Sequence, residues 1–200
     1  MAEVTTRSEI CRRKGLKRLA TEDATKPINP VRYTRTARAL HWLMAVMMIA
    51  LLLTGEQTMG SHSARTLPTV HASAGFVIML LFAFRLYWRW KHTPPPGFAM
   101  SSIWEKAAAT TVHVSLYAAM LLIPLTGWLA YTEHVRRSFG TRPASLFGLR
   151  IPLLPDFGIN WHFIHNLGGK LTLALIAVHA AAALKHHFFD RNDTLKRMLR

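Results

Sequence analysis

The sequence predicts an all-α fold, a polytopic membrane four-helix bundle with both termini on the cytoplasmic side. Three observations carry this. Half of the 200 residues are apolar, and they are gathered into long runs rather than dispersed at core-like spacing. Four of those runs are almost free of charge. All but one of the 25 lysines and arginines fall outside the runs, and unevenly.

Taken in order, residues 1–29 combine Arg12, Arg13, Lys14, Lys17 and Arg18 with Thr, Glu and Pro, without the apolar stretch of a signal peptide. They read as a basic, mobile tail. Residues 30–200 form the membrane domain. Its charge-poor runs are Ala39 to Gly55, Thr66 to Phe84, Ala107 to Thr132, and Ile159 to Leu184, the last interrupted only by Lys170. Crossing a hydrocarbon core of about 30 Å takes about 20 helical residues. With polar flanks included, the expected helices are roughly 39–58, 68–90, 107–131 and 159–187. Pro94-Pro95-Pro96 punctuates the second loop, and Pro124 with Gly127 is expected to bend the third helix.

The net charge of +15 would suit nucleic acid only if it lay on one folded face. Instead ten cations precede Leu40, four lie between spans two and three, and five follow span four, against five in the other two loops. The positive-inside rule then places both termini in the cytoplasm. The expected partner is a lipid bilayer, not nucleic acid. Cys11 is the only cysteine, which excludes an internal disulfide and covalent haem attachment through a Cys-x-x-Cys-His motif.

Ionisable residues inside a span are expensive and mark function by default. His41 opens span one, His71 span two and His113 span three, while His165 and His179 lie in span four. The last two are 14 residues apart, which returns nearly to one helix face and separates them by about 21 Å. His162 points about a quarter-turn away from that face. Because successive spans alternate in direction, His71 meets His165 near one surface. His41 meets His179 near the other, with His113 as a third contender there. The residue four positions on is small for four of the five, namely Ala45, Gly75, Gly169 and Ala183, against Tyr117 after His113. A flat porphyrin needs such a shallow neighbour. Two bis-histidine haem sites follow as the preferred reading. Zinc or copper would want three or four ligands at one level, often with thiolates or carboxylates. Arg85, 14 residues beyond His71, is a candidate haem-propionate contact, and Lys170 its weaker counterpart.

The tail His179-Ala-Ala-Ala-Ala-Leu-Lys-His-His-Phe-Phe followed by Asp-Arg-Asn-Asp-Thr-Leu-Lys-Arg-Met, together with His41-Trp42, His71, and Arg85-Leu with Arg89 before a Pro-rich loop, resembles the bacterial cytochrome b561 family. The resemblance spans about Tyr33 to Met198. It implies two haem b groups held by His41 with His179 and by His71 with His165, in the bacterial inner membrane. It also implies electron exchange with ubiquinone and, for part of the family, superoxide as donor. His113 and His186 match positions that the resemblance assigns to a quinone site. The basic extension before Pro30 and the segment from Arg136 to Ile159 depart from the family pattern. The latter's arginines, Arg136, Arg137, Arg142 and Arg150, suit either an anionic donor or lipid headgroups. Two other functions stay open at this point: a cytochrome b anchor subunit serving a dehydrogenase or hydrogenase, and a haem-free transporter or structural protein using histidines as proton relays.

Overall fold

The computed structural model describes residues 32–55, 66–95, 102–140 and 142–199. The expected basic tail, residues 1–29, lies outside them. Four long helices dominate: α1 (Arg35–Thr54), α2 (Thr66–Lys91), α3 (Ile103–Phe139) and α4 (Trp161–Phe188). Each is long and apolar enough to cross a membrane. A short hairpin, β1 (Ala144–Leu146) and β2 (Leu149–Ile151), lies between α3 and α4, and a six-residue α5 (Thr194–Leu199) follows α4.

Local chemistry sets the helix starts. Thr34 caps α1 by accepting a hydrogen bond from the Ala37 amide at 3.2 Å, and Asn160 caps α4 by accepting from Phe163 at 3.0 Å. Ser102 accepts from the Glu105 amide at 3.1 Å, in the Ser-x-x-Glu order of a capping box. These caps correct the expected bounds. α1 begins at Arg35 rather than 39 and α3 at Ile103 rather than 107, because a charged first turn lowers hydropathy without opposing helix formation. α3 likewise runs past the expected end at 131 to Phe139, where Gly140 (φ 69°) turns the chain and its amide bonds back to the Arg136 carbonyl. At 37 residues α3 is about 55 Å long, well beyond the membrane's apolar thickness.

The helices pack in ring order, α1 on α2, α2 on α3, α3 on α4 and α4 on α1. Inside the ring Met44 and Ile78 are fully buried, with Leu40, Met48, Phe82 and Ala119 nearly so. Val46, Leu53, Val70, Val114 and Leu171 point outward and are more than half exposed. An apolar exterior around an apolar interior is the distribution that a lipid solvent selects. α5 closes one end by accepting the Trp42 indole N–H at the Met198 carbonyl, 3.0 Å away.

The hairpin closes the other end. Ala144 pairs with Ile151 and Leu146 with Leu149 around a two-residue turn, Phe147 (φ 51°) and Gly148 (φ 79°), both left-handed as a type I′ turn requires. The Phe147 amide donates to Ser73 on α2 at 3.2 Å, and the Phe147 ring meets Phe76 edge-on. Tyr131, from the part of α3 at this end, donates its hydroxyl proton to the Ser145 carbonyl at 2.9 Å and also bonds Thr69 of α2 at 2.9 Å. Tyr131, Val135 and Ala144 form a small buried cluster beneath the hairpin. The Arg136 guanidinium donates to the Leu154 carbonyl and pairs with Asp156. The described residues between Arg136 and Ile159, a segment that departs from the family pattern, are thus tied to α2 and α3.

Candidate functional site

The five span histidines sort into two groups at opposite ends of the bundle. At the end that carries residues 32 and 199, His41 of α1 faces His179 of α4 with ring centres 6.3 Å apart and planes at 70°. At the hairpin end, His71 of α2 faces His165 of α4, ring centres 6.1 Å apart and planes at 89°. α4 contributes to both pairs because its 14-residue spacing keeps the two histidines on nearly one face. His113 of α3 joins the first group, 5.2 Å from the His179 ring. Among the described residues no set of three His, Cys, Asp or Glu could hold a metal ion. The zinc and copper readings therefore have no ligand set there.

Around the His71–His165 pair all four helices leave a cavity of about 340 Å³, lined among others by Leu52, Gly75, Gly127, Trp128 and Gly169. Gly75 has nothing within 4 Å of where a Cβ would stand, which leaves open space one turn from His71. His162 and Lys170 also line this cavity. His162 does so although it is expected to point about a quarter-turn away from the His165–His179 face. Gly127, read from sequence only as part of a bend, makes room for His165, since a Cβ there would lie 2.7 Å from Cε1 and 3.1 Å from Nδ1 of that ring. His165 Nδ1 in turn lies 3.0 Å from the Ile123 carbonyl and 3.4 Å from the Thr126 hydroxyl. Nothing in single-sequence spacing marks residues 123–127 as a seat for a histidine on another helix.

At the other end Arg85 lies between α2 and α1, its guanidinium 3.4 Å from the Ala37 carbonyl and 3.4 Å from His41 Nδ1. The propionate candidate is thereby placed beside a ring of the His41–His179 pair. His186 is two turns beyond His179 and bonds Asp190 through Nδ1 at 2.6 Å. Lys185 bridges Asp190 at 3.1 Å and Glu105 of α3 at 3.2 Å. Hydrogen bonds from His186 and then Lys185 hold the Asp190 carboxyl below its usual range. Asp190 enters the sequence reading only within the family-like tail, and Glu105 not at all.

Comparison with known proteins bears on this arrangement. Residues 32–200 match the family model described as prokaryotic cytochrome b561. The chain belongs to that family. Cytochrome b561 homolog 2 of Escherichia coli K12 is 31% identical over 179 residues, covering 85% of this chain and 92% of the relative. Cytochrome b561 homolog 1 of the same organism is 28% identical over 84% of this chain and 97% of its own length. A Yersinia pestis protein named probable superoxide oxidase CybB is 23% identical, over 84% of this chain and 96% of its own.

A prokaryotic cytochrome b561 is a membrane haem protein of the b type, and the residues present fit such a group. Two metal–imidazole bonds of roughly 2 Å each, with the radii of two rings, put the ring centres of a bis-histidine site roughly 6 Å apart. Both pairs meet that spacing, whereas the 5.2 Å between His113 and His179 is short for it. His71 Nδ1 is buried without a hydrogen-bond partner, next to the open cavity. With its Nδ1 held at a carbonyl, His165 keeps Nε2 free as a lone-pair donor, the tautomer that a metal ligand needs.

Proposed function

We propose that this chain is a di-haem cytochrome of the bacterial inner membrane that oxidises superoxide and reduces ubiquinone. The observation that carries the reading is the pair of facing histidine couples, each at ligation spacing, at opposite ends of one bundle and sharing α4. One couple alone would make a haem pocket. Two make a route from one membrane surface to the other.

In this reading His71 and His165 hold the haem at the hairpin end, and His41 and His179 hold the other. Bound haem supplies one-electron storage and transfer. The chain fixes the tautomer of His165, and Arg85 at one site and Lys170 at the other would pair with the propionates. Each superoxide releases one electron and leaves as dioxygen. Two such electrons and two protons convert one ubiquinone to ubiquinol. His113 and His186, on the same half of the bundle as His179, bind the quinone and hand it protons. The bond from His186 Nδ1 to Asp190 fixes the orientation of that ring. The name of the Yersinia relative supports the choice of donor. The charge bias of the loops supports cytoplasmic termini, which puts the hairpin end outside.

A dithionite-reduced minus oxidised spectrum with pyridine-haemochrome quantification on the detergent-purified chain tests the first half. Two b haems per chain are expected, and a colourless protein from haem-replete cells would return the histidines to structural or proton-relay roles. The second half is tested by superoxide-dependent ubiquinol formation, which should stop with superoxide dismutase present. A co-purifying dehydrogenase with no activity toward superoxide would favour an anchor subunit instead.

A further inference from the structure

The outer nitrogens of the two sites face opposite charges. His165 Nδ1 points at the Ile123 carbonyl oxygen, 3.0 Å away, and Gly127 gives the ring room to lie there. His41 Nδ1 instead lies 3.4 Å from the Arg85 guanidinium. A carbonyl that accepts the ring N–H makes an imidazole more electron-rich and stabilises the more positive, oxidised metal; a cation beside the ring disfavours that state. Lys170 on the wall of the His71–His165 cavity acts in the opposite sense, but it is exposed, whereas Arg85 is partly buried and less screened.

We propose that the Ile123–Gly127 seat of His165 and the guanidinium of Arg85 are positioning devices that order the two haem potentials, the His71–His165 site lower and the His41–His179 site higher. Electrons then run downhill from the hairpin end toward the end that carries His113 and His186. This rests on the two-haem reading above, and goes beyond it by assigning the order of the two potentials and the residues that set it.

Spectroelectrochemical titration of the purified holoprotein tests it without reference to turnover. Two b-type components are expected, and His71→Ala should remove the lower-potential one while His41→Ala removes the higher. Arg85→Gln, which keeps every ligand, should move only the higher component, downward; Gly127→Ala, which crowds the His165 ring off its carbonyl, should move or remove only the lower. If His71→Ala costs both haems, Arg85→Gln decides the matter alone. Coincident potentials, loss of the higher component in His71→Ala, or an Arg85→Gln titration identical to wild type would each overturn the proposal while leaving two haems in place. Absence of any b-type spectrum would overturn the haem reading itself.

Discussion

At the scale of single residues, the groups that seat the span histidines come from other helices, the Ile123 carbonyl beside His165 and the Arg85 guanidinium beside His41. An ionisable side chain in a charge-free run stands out by its cost to the membrane, and a 14-residue repeat on a helix has one geometric meaning. Gly127 and Ile123 act through a backbone carbonyl and through absent volume, which leave no mark in sequence. His186 shows what the neighbours add. The carboxyl of Asp190 is held below its ordinary value of 3.8, chiefly by the hydrogen bond from His186. A carboxylate with a lowered folded value contributes stability above its unfolded value, and loses that contribution as pH falls through the lowered one. Acidification below about pH 4 should therefore loosen the junction of α4 and α5, and Asp190→Asn should loosen it at neutral pH. Hydrogen exchange of the 186–198 amides reads this directly. Equal protection in wild type and Asp190→Asn at pH 7 would mean that the pair holds nothing. Within the proposed quinone site, the same variant should slow ubiquinol formation, because it frees the His186 ring that Asp190 orients.

Among the elements, the four spans followed from hydropathy because lipid demands apolar runs of one length. Their ends did not, since hydropathy reports where a helix leaves the membrane rather than where it stops. Glu133, Arg136 and Arg137 end the apolar run of α3 but not the helix, and Ser102 starts it a turn early. The hairpin escaped notice for a different reason. Its strands are three residues each, and its turn is Phe147-Gly148 rather than Asn-Gly or Asp-Gly. Tertiary contacts to Ser73 and Phe76 hold Phe147 in a conformation that a bulky residue seldom adopts alone. The Tyr131 hydroxyl is the other anchor. Tyr131→Phe removes its bonds to Ser145 and Thr69 at a cost of about 1 kcal/mol, so amide exchange across residues 144–151 should speed up about fivefold. Haem content should stay unchanged, because the hydroxyl touches neither histidine pair. A Ser102→Ala variant should cost about 1 kcal/mol of α3's first turn in the same assay. Unaltered exchange in either variant would show that the hairpin or the helix start is held by packing alone.

For the whole molecule, every directional claim turns on which end faces which compartment. Cationic residues crowd the loops at the end that carries residues 32 and 199, and a cation in a short loop resists translocation. The hairpin end carries Arg136, Arg137, Arg142 and Arg150 against that bias. If superoxide is the donor, as proposed above, a cationic cap on the donor side raises the encounter rate of that anion. The lone cysteine makes the orientation measurable. In right-side-out spheroplasts a membrane-impermeant maleimide should leave native Cys11 unlabelled, and in inverted vesicles it should label it. Phe147→Cys in a Cys11→Ser background, where the replaced side chain is more than half exposed at the hairpin tip, should give the reverse pattern. Labelling of Cys11 in spheroplasts would place the termini outside, and the His41–His179 end would then receive the donor. A fixed donor compartment and a fixed order of potentials must agree, because an electron entering from the periplasm at the higher-potential site would have to climb to reach quinone on the far side.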